Sequence, residues 1–237
     1  MASKKKAGKN QGTQSDKTIQ YIGGVLILLV LGYFIWQYIP RPAQSATPAF
    51  VGDIGSPYDC SVFDSIPQAA QYTSVPPTKI DTAKTYYANF EMEKGGTFVV
   101  QLYSEKAPIT VNSFVFLTCK EYFNGVTFHR VLEDFMAQGG DPTGTGMGGP
   151  GYEFQNEDSD LTFNGEGVVA MANAGRDTNG SQFFITFGPT EFLNGGYTIF
   201  GQVVDGMDVV NSITKRDPDQ NPAFTGDAIK TVTITEE

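Results

Sequence analysis

Histidine and cysteine are scarce in this chain, which has one histidine, His129, and two cysteines, Cys60 and Cys119, among 237 residues. A metal site built from several imidazoles therefore cannot form, and a cysteine nucleophile could be paired with a histidine only through His129. Ser181 lies in the segment NGSQ, which lacks the G-x-S-x-G setting of a nucleophile elbow. Hydrolysis by a serine is therefore not expected, and His129 is interpreted as a structural residue beside Arg130.

A nucleotide or calcium site is not indicated either. The segment GTGMGG contains Gly144, Gly146 and Gly149 and matches G-x-G-x-x-G, but Pro150, Gly151 and a strand-like segment follow it instead of a helix. It is interpreted as a surface loop whose glycines let the backbone approach a ligand or a neighbouring strand. The acidic run QNEDSD lacks the spacing of a calcium loop and is interpreted as solvated. No cofactor and no metal are expected.

Basic residues are few after the first part of the chain. The formal charge is −10, yet residues 1–18 hold Lys4, Lys5, Lys6, Lys9 and Lys17 and a single acidic residue. The remaining chain is strongly acidic and would repel a phosphate backbone, so nucleic acid is not expected as a partner.

Charge is absent altogether from residues 19–39, which include the apolar run YIGGVLILLVLGYFIW. About 20 helical residues cover the roughly 30 Å hydrocarbon layer of a membrane, so this segment predicts a transmembrane anchor. The lysines that precede it place residues 1–18 in the cytoplasm and the rest of the chain outside. A cleavable signal peptide is the alternative, because Ala43, Ser45 and Ala46 supply small residues downstream.

Residues 40–84 contain seven of the 13 prolines and are predicted to be a semi-rigid spacer, part of which docks on the following domain. Cys60 lies in this spacer and Cys119 in the domain. Outside the cytoplasm a disulfide between them would persist and contribute roughly 4 kcal/mol in the chain-entropy model. A free thiol in the spacer and a buried thiol in a helix are the alternative, and the sequence leaves the two open.

Residues 85–237 are predicted to form an all-β domain with two helices. Two β-rich runs flank Glu93-Lys94-Gly95-Gly96 as a hairpin. One helix is predicted after Ser104, with Pro108 in its first turn, and a short one around Met207 to Thr214. Such a combination is typical of a closed barrel whose open ends are covered by helices.

The motifs FHR, FMAQGGD, GTGMGGPGYEF, MANAG, TNGSQFFITF, FLNG and IFGQVVDGMDVV occur in this order along the domain. Through them the chain resembles the cyclophilin-type peptidyl-prolyl cis-trans isomerases, in a membrane-anchored form like those of bacteria. The resemblance implies a closed eight-stranded antiparallel barrel capped by two α-helices. It also implies a monomeric domain that acts on proline-containing polypeptides, assists their folding and needs no cofactor.

The resemblance assigns the catalytic role to Arg130, Gln138 and Phe135, with Arg130 stabilising the twisted amide and no covalent intermediate. Positions implied to bind substrate are His129, Met136, Gly146, Ala172, Asn173, Ala174, Gln182, Phe184, Phe192, Leu193 and Tyr197. Among the implied site residues, Phe135, Met136, Phe184 and Leu193 correspond to the pocket for the proline ring. Gln138, Asn173 and Gln182 correspond to groups that hydrogen-bond the substrate or orient the arginine.

Two positions depart from the family pattern: Phe192 stands where many members carry a tryptophan that contributes to binding cyclosporin, and Tyr197 where many carry a histidine. Sensitivity to that drug is therefore left open, whereas the arginine and the proline pocket are kept. Two other functions are considered. One is a binding module for proline-containing segments of the cell envelope, in which catalysis is incidental. The other is a structural envelope protein in which the spacer is the working part.

Overall fold

The structure is a computed structural model that describes residues 55–237. In this part of the chain nine strands form one antiparallel sheet in the order β1-β9-β2-β3-β8-β6-β7-β5-β4. The strands are β1 (Ser56–Pro57), β2 (Tyr86–Met92), β3 (Thr97–Leu102), β4 (Arg130–Leu132), β5 (Met136–Gly139), β6 (Val168–Met171), β7 (Phe183–Thr186), β8 (Ile199–Asp205) and β9 (Ile229–Glu236).

The predicted hairpin is confirmed as β2 and β3. Its turn is closed by bonds from the Met92 amide to the Gly96 carbonyl at 3.0 Å and from the Gly95 amide to the Met92 carbonyl at 2.9 Å. Gly95 and Gly96 both have positive φ, at 92° and 90°, a conformation that glycine adopts without steric cost. The local sequence therefore determines this turn.

Both predicted helices are present, as α1 (Pro108–Cys119) and α2 (Met207–Asn211). Pro108 occupies the first turn of α1, where its missing N–H has no intrahelical partner to lose. Every residue of α1 from Thr110 to Thr118 is buried, whereas a helix at the surface of a domain usually buries a single apolar stripe. The opposite face of α1 is buried as well because another segment of the chain covers it.

That segment comprises residues 55–84, which we term the strap, and it lies within the predicted spacer. Phe63 of the strap has no exposed surface, and its ring lies 5.2 Å from that of Phe116 in α1. Cys60 forms a disulfide with Cys119 at the end of α1, which settles the alternative that the sequence left open. The strap is thus held against α1 by a buried aromatic ring and a covalent bond, in line with the prediction that part of the spacer docks on the domain.

The strand pairing does not form the closed eight-stranded ladder predicted from the resemblance. The sheet has nine strands, and its end strands β1 and β4 are not paired with each other. One edge of β9 is divided: its last residues pair with β1, whereas its start contacts the segment that leads into β4. There the Phe128 amide donates to the Asp227 carbonyl at 2.9 Å, and a single bridge joins Thr127 to Ala228.

Within residues 55–237, no helix is both long enough and apolar enough to cross a membrane. The predicted cytoplasmic tail (1–18) and anchor (19–39), and the first part of the predicted spacer (40–54), lie outside the described residues.

Candidate functional site

Strand alternation places the key residues on one face of the sheet. Arg130 pairs with Gln138, and Gln138 pairs in turn with Phe184 on β7. Because paired residues point to the same side and their neighbours to the other, Arg130, Gln138 and Phe184 share the outer face. The alternate residues Val131 and Ile185 are buried in the main core on the inner face.

A second, smaller apolar cluster covers this outer face. Its buried members are Met136, Phe163, Val168, Ala170, Phe184, Leu193 and Ile199, and Phe135, Ala172 and Tyr197 are half-buried against it. The Phe184 ring lies 5.7 Å from that of Phe163 and 5.5 Å from that of Tyr197. Phe192 lies at the rim, 77% exposed, with its ring 5.7 Å from that of Phe135. The cluster provides an apolar surface for a ring such as that of proline.

Arg130 lies at the edge of this apolar cluster and is half-buried. Its guanidinium carbon is 5.8 Å from the centre of the Phe135 ring, and its Nη1 is 3.9 Å from the Sδ atom of Met136. None of the ion pairs found in residues 55–237 involves Arg130. Its donors therefore remain available to a ligand, and the neighbouring aromatic face and thioether hold the planar group in place.

A chain of amide side chains leads away from Arg130. Gln138 donates through Nε2 to Oε1 of Gln182 at 2.9 Å. Gln182 donates in turn to the carbonyl oxygens of Gly146 and Gly148 at 3.0 and 2.9 Å. These bonds connect β5 to the glycine-rich loop and fix the orientation of both amides.

The glycine-rich loop is organised by Asp141, which is fully buried. Its carboxylate accepts hydrogen bonds from the backbone amides of Thr143 at 2.7 Å, Gly146 at 2.7 Å and Gly148 at 3.1 Å. Burial by itself would raise the pKa of Asp141, but the hydrogen bonds from Thr143, Gly148 and Gly146 outweigh it, and the pKa lies below the usual 3.8. The carboxylate therefore stays ionised and holds the loop in its conformation.

Beside the apolar cluster lies a groove of about 700 Å³. It is lined by Gln71 of the strap, by Gln138, by the loop 146–153 and by residues 172–174, 178 and 180–182. Asn173 extends the polar wall, and its Oδ1 accepts from the Gly175 amide at 3.2 Å. A volume of this order falls within the range of roughly 300–1,000 Å³ that is usual for ligand sites. The groove can therefore accommodate several residues of an extended peptide.

His129 lies beneath this loop and is only 3% exposed. A Cβ added at Gly146 would lie 3.6 Å from its Nε2 atom, and neither ring nitrogen has a hydrogen-bond partner among the described residues. Burial lowers the pKa of His129 below 6.5, although the nearby Asp141 opposes this shift. His129 is not among the residues that line the groove, and its burial is consistent with the structural role interpreted from the sequence.

Comparison with known proteins agrees with this geometry. The profile of the family described as "Cyclophilin type peptidyl-prolyl cis-trans isomerase/CLD" matches residues 87–236, more than half of the chain. This chain belongs to the cyclophilin family. Peptidyl-prolyl cis-trans isomerase-like 1 from Mus musculus is 52% identical over 122 residues, covering 50% of this chain and 74% of that protein. The protein is therefore an enzyme, a cyclophilin-type peptidyl-prolyl cis-trans isomerase.

Other cyclophilins support the same assignment. A peptidyl-prolyl cis-trans isomerase of Schizosaccharomyces pombe is 51% identical over 127 residues, covering 52% of this chain and 82% of its own. The crystal structure of a Cryptosporidium parvum cyclophilin type isomerase superposes with a TM-score of 0.58 at 32% identity, covering 63% of this chain and 97% of that one. These relatives are eukaryotic, and they provide no support for a bacterial-like, membrane-anchored form.

The structure gathers the predicted cyclophilin site residues into two adjoining areas. Around the apolar cluster lie Arg130, Phe135, Met136, Phe184, Phe192, Leu193 and Tyr197. In the groove lie Gln138, Gly146, Ala172, Asn173, Ala174 and Gln182. Sequence reasoning missed Asp141, which the Gly-Gly-Asp-Pro-Thr turn signal could have revealed, since aspartate often bonds backbone amides two residues on. It also missed Gln71, for which the sequence holds no signal.

Proposed function

We propose that this cyclophilin exchanges the cis and trans isomers of X-Pro bonds in polypeptides outside the cytoplasmic membrane, assists their folding, and does so by stabilising the twisted amide electrostatically. The mechanism rests on the position of Arg130 between an apolar cluster and an amide-lined groove. Arg130 forms no ion pair within the described residues. A Cryptosporidium parvum cyclophilin has been crystallised in the presence of the dipeptide Ala-Pro, which supports a proline-containing substrate.

The energy that such a site must supply is modest. Rotation about an X-Pro bond crosses a barrier of about 18–20 kcal/mol and takes tens to hundreds of seconds unaided. A turnover of about 10–10³ per second therefore requires roughly 4–7 kcal/mol of selective stabilisation of the twisted state. No bond has to be broken, so binding contacts alone are sufficient.

Arg130 supplies the charged donor in this mechanism. When the amide twists, its resonance is lost, and the prolyl nitrogen becomes pyramidal and gains a lone pair. A guanidinium that donates to this nitrogen stabilises the twisted state more than either planar isomer. The permanent charge of arginine suits a reaction in which no proton is exchanged.

The neighbouring residues hold the peptide on both sides of the bond. Met136, Phe184 and Leu193 enclose the proline ring within the apolar cluster. The amides of Gln138 and Gln182, oriented by their mutual bond of 2.9 Å, bind the peptide backbone in the groove. One part of the substrate is thus held while the other turns past Arg130.

The proposed location outside the membrane is supported by two features. The lysines of residues 1–18 precede the uncharged segment 19–39, an order that favours a cytoplasmic N-terminus. The disulfide between Cys60 and Cys119 is typical of proteins that work in an oxidising compartment. An epitope tag at the C-terminus should be accessible to antibody on intact spheroplasts, and accessibility only after lysis would contradict this location.

The mechanism is tested by exchange spectroscopy on a proline tetrapeptide with the full-length chain in detergent. Arg130→Ala should lower the rate about 10²- to 10³-fold, as is usual when a donor to a transition state is removed. Arg130→Lys keeps the charge without the planar fork and should be intermediate. Arg176→Ala, which removes an exposed arginine paired with Asp158, is the control and should match the wild type.

Equal rates for the wild type and Arg130→Ala would refute the mechanism. Peptide affinity that is measurable by titration calorimetry, together with no exchange in the wild type, would instead favour the binding module considered above.

A further inference from the structure

The strap reaches the wall of the peptide groove. The matched family domain spans residues 87–236, so the strap lies outside it. The amide of Tyr72 donates to the carbonyl of Pro150 at 2.6 Å, and the neighbouring residue Gln71 lines the groove. A segment that precedes the family domain therefore contributes to the surface on which a substrate lies.

The strap is held firmly at this place. The ring of Tyr72 packs 4.9 Å from that of Phe116 in α1. Asn112 of α1 accepts from the Lys79 amide at 2.8 Å and donates to the Pro77 carbonyl at 3.2 Å. The disulfide between Cys60 and Cys119 fixes the other end. Gln71 thus lies between two attachment points, which limits its displacement.

Gly151 shows how closely the strap approaches the groove. Its φ is +91°, and a Cβ at this position would lie 2.5 Å from the Tyr72 carbonyl oxygen and 3.0 Å from the Cβ of Gln71. No real side chain fits within such a distance of backbone. The absence of a side chain at Gly151 therefore lets the strap and the groove wall lie in direct contact.

Gln71 is free to act on a ligand. Its side chain is exposed, and no hydrogen bond of its amide is found within residues 55–237. A glutamine amide carries an acceptor oxygen and two donor hydrogens, so it can bond a polar side chain or a peptide group. Glu153, the one charged residue among those that line the groove, adds a carboxylate that favours hydrogen-bond donors.

We propose that Gln71 is a specificity-determining residue of this isomerase and that the strap completes the groove as its outer wall. The substrate class is an extended polypeptide that carries a hydrogen-bonding side chain, such as lysine or asparagine, several residues away from the proline. The inference rests on the proposed function, because it concerns the same groove. Gln71 would contact extended substrates only. Minimal substrates are bound by the apolar cluster and by the amides of Gln138 and Gln182 alone.

The test compares two peptides that share the same Ala-Pro core. One is a tetrapeptide, and the other extends the core by several residues on both sides and includes lysine and asparagine. The full-length chain in detergent is assayed for kcat/KM by exchange spectroscopy. Gln71→Ala should lower kcat/KM for the extended peptide about 2- to 10-fold, the effect of one hydrogen bond, through a higher KM. It should leave the tetrapeptide within twofold of the wild type.

Gln68→Ala is the matched control. Gln68 is an exposed glutamine of the same strap, but its Nε2 donates to the Lys120 carbonyl at 3.0 Å, and it does not line the groove. This variant should treat both peptides as the wild type does. An equal loss on both peptides with Gln71→Ala would overturn the inference, because the substitution would then act on the fold and not on a subsite.

The inference and the proposed function fail in different ways. If the wild type isomerises both peptides and Gln71→Ala does not distinguish them, the inference alone is wrong. If the wild type isomerises neither peptide, the proposed function is wrong, and the preference for extended peptides proposed for Gln71 is wrong with it.

Discussion

Removing the disulfide should destabilise the domain by an amount that follows from the loop it closes. Cys60 and Cys119 are 59 positions apart in the sequence. Closing a loop of this length removes conformational entropy from the unfolded chain worth roughly 4 kcal/mol in the chain-entropy model. For a domain of this size each kcal/mol changes Tm by about 2–4 °C, so the expected decrease is about 8–16 °C.

The assay is thermal and urea unfolding of the full-length chain in detergent, followed by far-UV circular dichroism. The wild type is measured with and without a thiol reductant, and Cys60→Ser is measured without it. The reduced wild type and the variant should melt together, well below the oxidised wild type. A titration of thiols under denaturing conditions, before and after reduction, verifies the oxidation state.

A result that contradicts this reasoning is a Tm that changes by less than about 2 °C although the thiol titration shows complete reduction. The packing of Phe63 and Tyr72 on Phe116 would then be enough to hold the strap, and the unfolded chain would gain little freedom. Free thiols in the untreated protein would contradict the disulfide itself.

Four further predictions concern single residues. Burial lowers the pKa of His129. The free energy of unfolding should therefore be highest above about pH 6.5 and fall as the pH drops through the folded-state pKa. In urea titrations, His129→Gln should flatten this pH dependence. Phe63→Ala should cost about 3–5 kcal/mol in urea unfolding, because its ring is fully buried. Gly151→Ala should cost about 1–3 kcal/mol through its positive φ and the close Tyr72 carbonyl, with a larger effect on extended than on minimal peptides. Phe192→Trp should change stability by less than about 0.5 kcal/mol, since the side chain is 77% exposed, and should strengthen cyclosporin binding about 2- to 10-fold in calorimetry by adding an N–H donor.

The local elements of the fold were predictable because their signals are short-range. The hairpin of β2 and β3 follows from two apolar runs around Gly95 and Gly96, and α1 from Pro108 and the apolar spacing after it. The end of α2 was not predicted correctly, because the helix stops at Asn211 and not at Thr214. Helix ends depend on backbone bonds that periodicity does not specify.

The strand pairing was not predictable in the same way. The apolar runs indicate strands but not their partners, and the division of the β9 edge between β1 and the segment before β4 joins residues distant in sequence. Likewise, the sequence predicts that part of the proline-rich spacer docks on the domain, whereas the place where Phe63 and Tyr72 pack depends on a complementary face of α1. Such packing is a property of two surfaces and not of either sequence segment alone.

The candidate site also combines features that the sequence predicts with features that only the tertiary structure shows. The motifs around Arg130, Phe135 and Gln138 were enough to indicate a cyclophilin and its reaction, because these residues lie close together on a single hairpin whose alternation places Arg130 and Gln138 on the same face. The tertiary structure alone decided that Gln71 reaches the groove, that His129 is buried beneath Gly146, and that Cys60 meets Cys119. Each of these depends on the path of the chain between distant segments, which is set by packing over the whole domain and not by local conformational preference.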